Sequence, residues 1–149
     1  MVDPVVPALP AWVIHCDGSA MPNPGRMGLG AVLVAPDGTR HTLCQDTGAK
    51  GCNNEAELRA LMAALRHLQM RGVAATDVLR VYSDSSILVE QLAGARCQPI
   101  ERLATLFDEA RALLGAFQHA SLHWIPRHRN SEADALARTA LGALPKPRA

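Results

Sequence analysis

The spacing of apolar residues changes along the chain, and each change marks an element. In AWVIHCD (11–17), Trp12, Ile14 and Cys16 fall on one side and Val13, His15 and Asp17 on the other, which is the two-residue period of a strand. GSAMPNPGRMG follows, dense in Gly and Pro, and predicts a turn region. GLGAVLVA (28–35) reads as a second strand, PDG (36–38) as a tight turn, and TRHTLCQD (39–46) as the returning strand of a hairpin. TGAKGCNN predicts a loop ending in Asn53 and Asn54, either of which suits a helix cap. From Glu55 to Arg71 the period becomes helical, with Leu58, Leu61, Met62, Leu65 and Leu68 in one stripe and Gly72 as the stop.

The second half alternates strand and helix. VLRVYS (78–83) predicts a strand, and Asp84 to Leu92 a short helix that stops near Gly94. Pro99 opens a longer helix to Phe117, with Ile100, Leu103, Phe107, Ala110, Leu114 and Phe117 on one face. ASLHWI (120–125) is a last strand, PRHRN a loop, and Ser131 to Gly142 a last helix. The order βββαβααβα predicts an α/β fold: a five-stranded mixed sheet, its first three strands antiparallel, flanked by helices.

Length and composition narrow this picture. A chain of 149 residues, 48% hydrophobic, makes one core and has enough apolar material to offset its ordering entropy. Residues 1–10 read as an extended tail, 11–143 as the domain and 144–149 as a second tail. No apolar run approaches the ~20 residues that span a bilayer, and the start lacks a basic leader, so no membrane partner is expected. Fifteen basic and 14 acidic residues leave a net charge of +1, which argues against a strongly electrostatic nucleic-acid binder. Cys16, Cys44, Cys52 and Cys97 show no CxxC spacing, so free thiols in a reducing cytoplasm are expected rather than zinc or disulfides.

Four acids stand at element ends. Asp17 and Asp84 close predicted strands; Glu57 and Asp134 lie in the first turns of predicted helices. In α/β sheets such ends meet on one side. Glu57 heads the helical line of Leu61, Ala64 and Leu68, so it faces the sheet, whereas Glu55 lies with Arg59 and Arg66 on the polar face. A carboxylate aimed at a core needs a cation, and no Lys or Arg shares that line. A divalent ion with a preference for oxygen ligands would meet the need. Each acid also has a plainer use: Asp84 as a helix cap, Asp134 in a capping arrangement with Ser131, Asp17 in a turn before Gly18, and Glu57 at a positive helix terminus.

These residues resemble the type 1 ribonuclease H family. The likeness rests on DGS from Asp17, NPG from Asn23, GLGAVL from Gly28, NNEAEL from Asn53, SDS around Asp84 and NSEADALA from Asn130, in order, over residues 11–142. It implies cleavage of the RNA strand of RNA–DNA hybrids, with 5′-phosphate and 3′-hydroxyl ends, by a monomer. It implies Asp17, Glu57, Asp84 and Asp134 as catalytic ligands of two Mg2+ ions, with Mn2+ as a substitute and Asp17 as the bridge. Two ions about 4 Å apart can activate a water and stabilise the leaving oxygen. Gly18, Ser19, Asn23, Asn53, Asn54, Arg127 and Asn130 become candidate substrate contacts, and Glu57 a contact to the 2′-hydroxyl. His128 or Arg127 would do the work of the family's mobile loop histidine. His15 shares the strand face of Asp17; for it a packed structural role is expected, and the other histidines show no evident partner.

The departures point to weaker hybrid binding. AGARCQPI carries one Arg where many bacterial members have a basic helix and loop. Cys52 stands where Thr is common in a DNA-phosphate pocket, Glu55 where a basic residue is frequent, and Ser86 where Gln is frequent. A non-cleaving binding module, or another nuclease on the same fold, remain the alternatives.

Overall fold

A computed structural model describes residues 10–93 and 100–142. The expected tails, the stop at Gly94, the opening at Pro99 and Cys97 fall outside the described residues, apart from Pro10 at the edge of the first. Strand β1 spans Ala11–Met21, β2 Gly25–Val34 and β3 Arg40–Gly51; helix α1 spans Asn53–Met70. Then come β4 (Val78–Ser83), α2 (Ser86–Leu92), a 3-10 turn at Glu101–Leu103, α3 (Ala104–Gly115), β5 (His119–Trp124), a second 3-10 turn at Arg127–Arg129, and α4 (Ser131–Ala140). The sheet order is β3-β2-β1-β4-β5. The β1–β2 and β2–β3 pairs are antiparallel; β4 is parallel to both β1 and β5. The mixed five-stranded sheet expected from the pattern is therefore the observed one.

Several boundaries move. The turn expected over 18–28 shrinks to Pro22–Pro24, because β1 and β2 stay paired out to Met21↔Arg26. The loop expected at 47–54 is largely strand: β3 pairs with β2 as far as Gly25↔Gly51, past a bulge between Arg26 and Gly28. Neither Asn53 nor Asn54 caps α1. Cys52 does, its Sγ accepting from the Glu55 amide at 3.4 Å. Asp84 does not cap α2 either; Ser85 Oγ accepts from the Leu88 amide at 3.1 Å. The long helix after Ile100 begins as a 3-10 turn, though Leu103, Phe107, Ala110 and Phe117 are buried as expected.

The two faces of the sheet are covered differently. Trp12, Ile14 and Cys16 of β1 and Leu29, Ala31 and Leu33 of β2 meet the Leu stripe of α1 in the main core, which α2 and α3 complete. On the other face α4 lies across β1, β2 and β3. It comes very close there, because a Cβ on Gly28 would fall 2.3 Å from the Ala137 carbonyl oxygen, and one on Gly30 2.3 Å from that of Ala133. Bare backbone at these two positions is what lets α4 seat on the sheet.

Candidate active site

The parallel pairing of β1 and β4 brings the first two acids together. Its register runs to His15↔Tyr82, and Asp17 and Asp84 each lie two residues further on. Glu57 arrives from α1. That helix packs so tightly on β1 that a Cβ on Gly18 would lie 2.1 Å from the Ala56 backbone carbonyl. Asp17, Glu57 and Asp84 each offer a carboxylate oxygen, and the three oxygens lie within 4.8 Å of one another. Glu57 Oε2 is buried and has no hydrogen-bond partner. Converging hard oxygens with one atom unsatisfied are what a divalent cation requires, so the residues fit such an ion.

The fourth acid adjoins this set and has a cationic partner of its own. Asp134, in the first turn of α4, lines the same cleft, but Arg138 Nε lies 3.3 and 3.2 Å from its two carboxylate oxygens. It takes no part in a capping arrangement with Ser131: the residue before α4 is Asn130, which makes no side-chain cap bond.

Burial, and then the charges of Glu57 and Asp84, push the Asp17 carboxyl up to about 10. Burial raises Glu57 to about 8, against the opposing effects of a hydrogen bond with Asp17 and the charge of Arg127. Burial also raises Asp84, opposed by its bond with Asn130 and by Arg127. A dication beside these groups would reverse all three shifts by favouring the charged forms. The neighbouring Cys16 thiol is pushed well up by burial and by the three acids, so it stays neutral.

The other expected residues divide into cleft wall and scaffold. Gly18, Ser19, Asn53, Asn54 and Arg127 line the cleft, whose volume is about 360 Å³. Asn53 is also structural, since its Oδ1 accepts from the Ala20 amide at 2.9 Å. Asn23 stands in the exposed β1–β2 turn, outside the wall, and its Oδ1 accepts from the Asn53 amide at 3.1 Å. Asn130 is 1% exposed; its Nδ2 donates to the Cys16 carbonyl at 3.0 Å and reaches Asp84 Oδ2 at 3.4 Å. It therefore orients Asp84 from behind. His128 is exposed and lies outside the wall, whereas Arg127, one residue earlier, is part of it. His15 also lies outside the wall; it stacks on Tyr82 at 5.0 Å, and Tyr82 on His123 at 5.2 Å. His41 sits 5.8 Å from Trp12 and 6.0 Å from His67, so these histidines do have partners.

Sequence reasoning missed Arg138, Ser83 and Ile87. Arg138 was detectable from its i+4 spacing to Asp134. Ser83 is fully buried and hydrogen-bonds Glu57, and Ile87 lines the cleft. Cys52 likewise has an unforeseen neighbour: Arg102 Nη1 lies 3.1 Å from its Sγ. Burial pushes that thiol up, but the Glu55 amide and the Arg102 guanidinium outweigh it, and its pKa is lowered. A wider groove of about 480 Å³ runs between β3 and α1, but its cations are already paired, Arg59 with Glu55 and Arg66 with Glu109.

A family model described as reverse transcriptase-like matches residues 15–140. A bifunctional protein of Mycobacterium tuberculosis is 37% identical over 133 residues, covering 88% of this chain and 35% of its own length. The chain thus spans about a third of the first curated relatives it matches. The solved N-terminal RNase H domain of that protein aligns at 35% identity and TM-score 0.77, covering 87% of this chain and 98% of that one. A ribonuclease H of Cupriavidus pinatubonensis is 32% identical, over 89% of this chain and 96% of its own. LC11-RNase H1, solved in complex with an RNA/DNA hybrid, aligns at 29% identity and TM-score 0.80, covering 88% of this chain and 96% of that one.

Proposed function

Because the chain belongs to the reverse transcriptase-like family and, within it, to the type 1 ribonucleases H, we propose that it hydrolyses the RNA strand of RNA–DNA hybrids. The convergence of Asp17, Glu57 and Asp84 around one unsatisfied buried oxygen carries the reading. Asp17, Glu57 and Asp84 would hold a first Mg2+ ion, and Asp17 with Asp134 a second, with Mn2+ able to replace either. Ions bound there supply an activated water and charge for the leaving oxygen, so that the products carry 5′-phosphate and 3′-hydroxyl ends.

The chain's own groups do the rest. Asn130 and Ser83 hold Asp84 and Glu57 in place from below. Arg127, on the cleft wall, sets a guanidinium where a scissile phosphate enters and lessens the repulsion between that phosphate and the acids. The Gly18–Ser19 backbone, Asn53 and Asn54 offer amides to sugar hydroxyls and base edges across the wide minor groove of a hybrid. Glu57 lies where it can accept from a ribose 2′-hydroxyl, the group that marks the RNA strand. No described helix is long and apolar enough to cross a membrane, and Cys16, Cys44 and Cys52 are free; on this reading the chain is a monomer acting in the cytoplasm.

The test is a panel of labelled RNA–DNA hybrid, duplex RNA, duplex DNA and single strands, each with magnesium, manganese or chelator. We expect the RNA of the hybrid alone to be cut, and only with a metal. Binding without cutting would make the chain a binding module, and cutting of duplex DNA would place it with other nucleases of this fold.

A further inference from the structure

Three large apolar side chains are exposed among the described residues: Met70, Ile87 and Trp124. Met70 closes α1, in the groove beside β3. The other two flank Asp84. Trp124 is 54% exposed, yet its indole Nε1–H donates to the Asp84 carbonyl at 3.2 Å, and its backbone pairs opposite Ser83. Ile87 is 40% exposed and lines the acidic cleft three residues after Asp84. The indole is thus fixed at its polar edge to the backbone of a cleft residue, with much of its apolar surface left to solvent, though it does not itself line the cleft. Three residues beyond it, Arg127 faces the same cleft.

We propose that Trp124 and Ile87 form an apolar shoulder that packs against the sugar–base edge of the RNA strand as it enters the cleft. The inference rests on the ribonuclease H reading and extends it to a substrate contact outside the acids and amides. A rigid, half-exposed indole suits this role, because it loses little side-chain entropy on contact. The minor groove of a hybrid presents sugars and base edges rather than closed base-pair faces. Arg127 would meet the phosphate of the same strand, so segment 124–127 offers an apolar and a cationic contact together. The shoulder reads no sequence, since every nucleotide presents the same C–H surface of its sugar.

The chain's two tryptophans make the test direct, since Trp12 is only 8% exposed, in the core. Asp17→Asn, mixed with magnesium and a fluorescein-labelled RNA–DNA hybrid, keeps the substrate intact. Hybrid should quench and blue-shift the tryptophan emission, and the change should vanish in Trp124→Phe. Trp124→Ala should weaken hybrid binding by roughly tenfold in fluorescence anisotropy, with Trp124→Phe recovering most of it. Ile87→Ala should weaken it less. In the chain that retains Asp17, Trp124→Ala should leave magnesium affinity by calorimetry unchanged, and Trp124→Phe should as well. Hybrid that binds without altering the emission, or that binds Trp124→Ala as tightly as the parent, overturns the proposal. A parallel loss of magnesium affinity overturns it too, because Trp124 would then act through Asp84. Hybrid that is neither bound by these variants nor cut by the chain that retains Asp17 overturns the ribonuclease H reading itself, and the shoulder with it.

Discussion

Arg138 grips Asp134 through both carboxylate oxygens, at 3.3 and 3.2 Å, one helical turn along α4. The side chains are 23% and 24% exposed, so solvent screens the pair only in part. Asp134 thus meets a guanidinium on one side while it borders Asp17 on the other, next to the set formed by Asp17, Glu57 and Asp84. To serve as a metal ligand it must exchange a guanidinium for a dication.

Arg138→Gln should therefore tighten magnesium and manganese binding, measured by calorimetry without nucleic acid. The cost in stability should be below about 1 kcal/mol, as for other partly exposed i,i+4 pairs. Weaker metal binding would mean instead that Arg138 positions Asp134 for the ion.

Stability without metal should fall as pH rises. The Asp17 carboxyl goes from 3.8 to about 10 on folding, so between those values the folded chain holds a proton that the unfolded chain has released. The group's contribution is therefore fully present below pH 3.8 and is lost as pH climbs toward 10. Glu57, raised to about 8, acts in the same sense. Thermal melts in chelator should show Tm dropping from about pH 5 to pH 9, with magnesium restoring more at the alkaline end. Asp17→Asn should flatten the profile, abolish the magnesium response and abolish cleavage.

Glu57→Gln and Glu55→Gln should differ sharply. Glu55 pairs with Arg59 at 2.7 Å on the outer side of α1, whereas Glu57 keeps a buried, unpartnered oxygen in the cleft. Cleavage assays should show Glu57→Gln down by at least about 100-fold, the scale of losing one preorganised electrostatic group, and Glu55→Gln within a few-fold of the parent. Equal effects would put the wrong face of α1 in the site.

Gly18→Ala should lower both Tm and metal affinity. The new methyl would meet the Ala56 carbonyl at 2.1 Å and the Glu57 nitrogen at 2.4 Å, and backbone cannot swing aside as a side chain can. The cost should be about 1–3 kcal/mol, with α1 displaced and Glu57 carried along. Gly115→Ala, with nothing within 4 Å of the added carbon, is the matched control and should leave metal binding unaltered.

The inward aim of Glu57 was legible because its helical line continues through Leu61, Ala64 and Leu68, all fully buried. The meeting of Asp17 with Asp84 was legible from strand ends, since parallel neighbours finish on the same side of a sheet. The second half of β3 was not. DTGAKG has no apolar alternation to betray a strand; its pairing with β2 is helped by polar bonds, Arg26 to Asp46 and Thr47 Oγ1 to the Met27 carbonyl at 2.9 Å. The cap at Cys52 was hidden for a similar reason: sulfur is a weak acceptor, and Asn53 and Asn54 beside it are better caps on composition. Arg127 and His128 could not be told apart as cleft residues, because a 3-10 turn sets their directions and no period does.

The glycines under α4 have a consequence for the height of the site. With main chain lying against main chain at Gly28 and Gly30, the distance from helix to sheet is set by atoms that have no rotamers to change. Asp134 rides on the first turn of that helix and inherits the fixed elevation, so hydrophobic drift elsewhere in the interior can alter the walls of the cleft while its ceiling keeps the same clearance above β1 and β2.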